Sequence, residues 1–118
     1  MADQMQWANA LSTRHSLEAA VSALTAPADL GLVFISSAFA SEYSRLLPLL
    51  AEKLSVPVLI GCGAAGVVGT NSENQIQEIE GEAAISLTLA HLPGVDVRPF
   101  HILGDQLPDL DSSPNAWI

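Results

Sequence analysis

"PVLIGCGAAGVVG", residues 57–69, decides how the chain is read. Its start is a strand-forming apolar run. Gly61-Cys62-Gly63-Ala64-Ala65-Gly66 is then a literal G-x-G-x-x-G, with Glu80 or Glu82 at the distance of a ribose-binding acid. A dinucleotide site also needs a helix directly after the glycines, because its N-terminus carries the pyrophosphate. "VVGTNSENQIQEI", residues 67–79, makes a poor helix: Gly69 interrupts it, Asn71-Ser72 favours a turn, and Val67, Val68, Ile76 and Ile79 form no broad stripe. The glycines also follow the third strand of the chain rather than the first. They are therefore read as a tight exit from that strand, and no cofactor is expected.

Upstream, the order of elements is regular. "QWANALS", residues 6–12, reads as a strand with Trp7, Asn9 and Leu11 on one face. Thr13 or Ser16 caps a helix carrying Leu17, Ala20, Val21 and Leu24, which Pro27 stops. "LGLVFIS", residues 30–36, is continuously apolar, as in a central strand buried on both faces. Ser37 or Ser41 opens a second helix to about Leu54, with Tyr43, Leu46, Leu47, Leu50 and Leu54 as its stripe and Pro48 as a kink. "PVLIG", residues 57–61, is the next buried strand. This is β-α-β-α-β, with crossovers long enough for parallel pairing.

Downstream the style changes. Residues 70–82 are polar and turn-rich. In "EAAISLTLA", residues 82–90, Ala83, Ile85, Leu87 and Leu89 alternate with Ala84, Ser86, Thr88 and Ala90. Pro93-Gly94 is a turn signal, "VDVRPFHIL", residues 95–103, is the return strand, and Pro99 places that strand at an edge. The expected fold is a layered α/β domain over residues 1–118, with a parallel half, an antiparallel hairpin, and loop or tail from about 104 to 118.

Composition narrows the function. The 118 residues carry thirteen acids against four bases, a formal charge of −9, which argues against nucleic acid and anionic membranes. Mean hydropathy is +0.35. Such an apolar chain either covers both faces of its sheet or keeps apolar surface for a partner. A single cysteine excludes an internal disulfide and fits a reducing compartment. No signal-peptide pattern or membrane-length apolar run is present, so the chain reads as cytoplasmic, or as stromal after loss of a targeting segment.

Catalytic patterns are weak. Cys62 as a nucleophile needs a base, and none of His15, His91 and His101 is placed beside it by any local signature. A lone cysteine at a strand end reads first as a small buried hydrophobe. No Cys/His/acid spacing resembles a metal set. Glu78, Glu80 and Glu82 read as a solvated face. No catalytic residue and no metal is expected.

What converges is a set of strand ends. Parallel α/β sheets bind ligands beyond the carboxyl ends of their strands. Here those ends are Ser12-Thr13-Arg14, Ser36-Ser37 and Gly61-Cys62-Gly63. They offer hydroxyls, unobstructed backbone N–H groups, a thiol and a guanidinium. That set suits a small polar ligand, such as a carboxylate held by Arg14 and a helix N-terminus. Helix capping is the competing use for each hydroxyl.

The order "DLGLVFISS", a serine-opened leucine-rich helix, "VPVLIGCGAAGVVG", a polar stretch and "EGEAAISLTLA" resembles the N-terminal part of the FIST domain over roughly residues 6–105. The resemblance implies a non-enzymatic α/β sensory domain of signal-transduction proteins that binds small molecules such as amino acids. By position, Gly61, Cys62, Gly63 and Gly66 match the characteristic turn, with Ser36 and Ser37 as the neighbouring strand end. Gly63 stands where the family often has a hydroxyl residue. The resemblance also implies a partner: the C-terminal half of the FIST region, or another protein. The alternative reading is an assembly subunit that keeps the fold without the ligand.

Overall fold

A computed structural model describes residues 4–12 and 23–118. Arg14 and the expected helix from Thr13 or Ser16 through Val21 lie outside these residues. β1 (Gln6–Ser12) and β2 (Leu30–Ser36) occupy the expected stretches. A 3-10 segment over Ser37–Glu42 runs directly into α1 (Tyr43–Leu54). Then follow β3 (Val58–Ala64), β4 (Gly66–Thr70), β5 (Ile76–Glu80) and β6 (Ile85–His91).

The chain is α/β, with a four-stranded mixed sheet in the order β1-β6-β2-β3 and a separate two-stranded hairpin, β4-β5. β2 and β3 are parallel, while β6 runs antiparallel to both β1 and β2. α1 is the parallel crossover between β2 and β3. Its Tyr43, Leu46, Leu50 and Leu54 pack on a core of Ala10, Val33, Ile35, Leu87 and Leu89. Each large aliphatic side chain in that core contributes roughly 1.5–3 kcal/mol. Leu47, expected in the stripe, is exposed instead, and the face packed on the core narrows to the partly buried Tyr43, Leu46, Leu50 and Leu54. Ser55, at φ 49°, ends the helix in the left-handed conformation.

Three particulars of the expected second half are corrected. β6 does not pair with residues 95–103. It is inserted between β1 and β2, so both of its hydrogen-bonding edges are occupied and no strand remains to be added beside it. Residues 95–103 accordingly form no strand. The antiparallel hairpin is instead β4-β5, drawn from the stretch read as polar and turn-rich. Asn71 organises its turn: its Oδ1 accepts from the backbone N–H groups of Glu73 (2.9 Å) and Gln75 (3.0 Å), and Asn74 takes φ 62°.

The hairpin covers part of the sheet face opposite α1, burying Leu11, Val67, Ile79 and Ala84, with Ala64 against them. Gly69 makes this contact close. A Cβ there would lie 2.7 Å from Asn9 Oδ1 and 2.9 Å from Leu11 Cβ, so only glycine lets β4 lie flat on β1 and β6. Asn9, on the face predicted for it, then stitches the layers. Its Oδ1 accepts from Thr70 N–H at 2.7 Å, while its Nδ2 faces Ser86 Oγ, Leu87 O and Thr88 Oγ1 at 2.9–3.1 Å.

Candidate functional site

β1, β2 and β3 run in one direction, so Ser12, Ser36 and Ala64 end their strands on the same side of the sheet. That much of the strand-end geometry is present. The side chains gathered there serve mainly to hold the fold.

Ser36 is 1% exposed. Its Oγ accepts from Ala84 N–H at 2.9 Å, and its own N–H donates to Ala84 O at 2.9 Å, which ties the β5–β6 connection to the end of β2. Ser36→Ala is expected to cost about 1–2 kcal/mol, because it leaves the Ala84 amide buried without its acceptor. A urea or thermal melt measures this, and an unchanged midpoint would mean water replaces the hydroxyl. Ser37 is exposed and begins the 3-10 segment. Ser12 closes β1 opposite Ile85, half-buried.

The glycine run is not the tight exit expected of it. β3 continues through Gly61, Cys62, Gly63 and Ala64 before bending at Ala65. Strand backbone through two glycines is explained by their neighbours. A Cβ at Gly61 would collide with the Val33 carbonyl oxygen across the parallel ladder. A Cβ at Gly63 would sit 2.5 Å from Tyr43 Oη and 3.0 Å from its ring. Tyr43 lies over this stretch with its hydroxyl 3.2 Å from both Ile35 O and Ser36 O, so it closes the end of β2. Sequence reasoning gave Tyr43 only a place in the apolar stripe; a tyrosine seven residues past a serine-ended strand, paired with a G-x-G, is the signal that could have found it. Gly66 pairs with Glu80 on the hairpin.

β3 is also an edge strand, not a buried one, and Cys62 is exposed rather than a buried hydrophobe. Its register partner on β2 is Phe34, itself 40% exposed. Neither His91 nor His101 is hydrogen-bonded to Cys62, and His15 lies outside the described residues. His91 is at the opposite end of the sheet, where its Nδ1 lies 2.8 Å from Pro27 O and 3.4 Å from Asp29 Oδ2. Asp29 also accepts from Leu92 N–H at 2.7 Å. A shallow pocket opens there, lined by Asp29, Pro57, Val58, His91 and Leu92 to Val97 without Asp96. It lies at the amino ends of β2 and β3, away from the expected strand-end site. No metal-binding cluster is formed among the described residues.

Glu78 and Glu80 are exposed on β5. A hydrogen bond between the two carboxyls, then their mutual repulsion, raises Glu78 above the ordinary carboxyl range. A raised folded value means the folded chain holds a proton that the unfolded chain releases. The pair therefore favours folding at low pH and loses that contribution as pH rises through the raised value. Glu78→Gln is expected to remove a small fall in melting temperature between about pH 4 and pH 7. Identical pH profiles for the two proteins would show that the carboxyls do not interact in solution.

A family model, the FIST N domain, matches residues 29–106, which spans β2 through β6 and the segment after it. The chain belongs to the FIST N domain family. The FIST family is associated with sensory domains of signal-transduction proteins. Comparison with curated proteins and with solved structures gives no significant match. The FIST N match includes Ser36, Ser37 and the whole glycine run, and leaves Ser12 and Arg14 outside it. No helix among the described residues is long and apolar enough to cross a membrane.

Proposed function

We propose that the chain is a non-enzymatic, cytoplasmic sensory domain that takes a small polar ligand at the carboxyl ends of β1, β2 and β3. The observation that carries this reading is the FIST N match combined with the common direction of those three strands. An amino acid or small carboxylate suits the groups available. Ser37 supplies an exposed hydroxyl, and Gly61, Cys62 and Gly63 supply backbone and thiol on an exposed strand. Ser12 completes the set from the end of β1, and Arg14, outside the described residues, is the counter-charge the sequence offers. Ser36 and Gly66 shape the rim from within. Output passes to a partner, either a following FIST half or a separate protein. An exposed free thiol is compatible with the reducing compartment.

Thermal-shift and calorimetric titration with amino acids and small carboxylates test this. Ligand at about a hundred times its Kd stabilises by about 2.7 kcal/mol. Ser37→Ala is expected to reduce the shift while leaving the unliganded melt unchanged. No shift with any of these compounds would count decisively against sensing.

A second reading, an assembly subunit without a ligand, is favoured by how Ser36, Gly61 and Gly63 are used. All three serve internal packing. Under it, no compound moves the melt, and the exposed apolar sheet face described below is the functional surface.

A further inference from the structure

β3 has β2 on one side and no strand on the other among the described residues. Folded proteins blunt such an edge with charge, proline, a bulge or a cover. β3 has no charged residue and no proline, and residues 54–72 carry no charge at all in a chain with thirteen acids and four bases. The opposite edge is treated differently. Gln6 of β1 exchanges two hydrogen bonds with Thr25, at 2.7 and 2.8 Å.

The sheet face leading to the bare edge is apolar. Register places Leu32 beside Ile60 and Phe34 beside Cys62, on the side away from α1. Ile60 is 45% exposed, Phe34 40%, and Cys62 is exposed. The chain's own segment 95–103 is a poor cover. It starts near Pro57 and Val58 yet stays unpaired, it carries Asp96 and Arg98, and Pro99 at its centre has no N–H to give a ladder.

We propose that β3 pairs antiparallel with β3 of a second copy across a two-fold axis, joining two four-stranded sheets into one of eight strands. Three features select this occupant. Antiparallel pairing about a two-fold lets one row of N–H and C=O groups satisfy its own copy. Each copy carries −9, so two copies repel wherever acids meet, and the charge-free stretch 54–72 is where they approach without opposing charges. A basic partner would be drawn to the acid-bearing surfaces instead. Ile60, Phe34 and Cys62 then continue across the axis as one apolar strip.

Sedimentation equilibrium without ligand tests this independently of sensing. The wild-type chain is expected at twice the monomer mass. Ile60→Lys, at an already exposed position, is expected at the monomer mass with an unchanged far-ultraviolet circular dichroism spectrum. Ile76→Lys, 84% exposed on the hairpin, is expected to remain dimeric. A monomeric wild type, a dimeric Ile60→Lys, or loss of the dimer in both variants would each overturn the proposal. So would a dimer that survives Ile60→Lys and is lost on Phe100→Asp, which would place the contact on the tail.

Discussion

Gly61→Ala is expected to destabilise the chain by about 3 kcal/mol, the upper part of the range for overpacking. The new methyl would be driven onto the Val33 carbonyl oxygen. Backbone, unlike the tip of a flexible side chain, cannot rotate away. Relief therefore requires β2 and β3 to separate at the point where Val33 pairs with Gly61. For a domain of this size that corresponds to a fall in melting temperature of roughly 10 °C. Gly104→Ala is the control, since no atom lies within 4 Å of its built Cβ and its backbone is unstrained. Equal melting temperatures for the two variants would refute the collision. Gly63→Ala should be milder, because its obstacle is the Tyr43 ring, and combining it with Tyr43→Leu should recover part of the loss.

That prediction changes what the glycine run means. As a string, G-x-G-x-x-G suggested a phosphate loop, which needs a helix directly after it; a strand, β4, follows instead. The replacement reading, a tight turn, was also a local one. Nothing within residues 57–69 states that Val33 and Tyr43 press on alternate positions, because each lies twenty or more residues before the glycine it crowds. Pairwise crowding across a parallel ladder is invisible to periodicity.

The same division runs through the fold. β1, β2, β6 and α1 were legible because each buries one clear pattern: Leu87 and Leu89 against Ser86 and Thr88, or Leu46, Leu50 and Leu54 along one stripe. Sheet order was not. The alternation of β6 shows that it has two different faces, but not which strands lie at its edges. Inserting it between β1 and β2 leaves residues 95–103 without a neighbour, whatever their own strand propensity. The β4-β5 hairpin escaped for the reverse reason. It buries little more than Val67 and Ile79, and its Gly66 and Gly69 look like breakers until the sheet beneath them is known. Of the strand ends, the common direction of β1, β2 and β3 was legible. The capture of Ser36 Oγ by Ala84, 48 residues away, was not. Of the two readings of the high hydropathy, full cover on both sheet faces fails, because Phe34 and Ile60 are only partly covered.

Asn9→Ala is expected to cost about 2–3 kcal/mol, more than an ordinary hydrogen-bond deletion, because several buried groups lose partners together. Thr70 N–H loses its acceptor at 2.7 Å, and Ser86 Oγ, Leu87 O and Thr88 Oγ1 lose a shared donor. Ser86 still donates to Val68 O at 2.7 Å, so the hairpin keeps one tie to the sheet. The loss should therefore be local before it is global. Amide exchange at Val67, Gly69, Thr70 and Ile79 is expected to accelerate well beyond that at Leu87 and Leu89, which belong to the other core. Asn9→Ala and Ser86→Ala together should depart from additivity by at least about 0.5 kcal/mol, as groups in one network do. Uniform acceleration across both cores would show instead that the two layers melt as a single unit, with Asn9 no more than one contact among many.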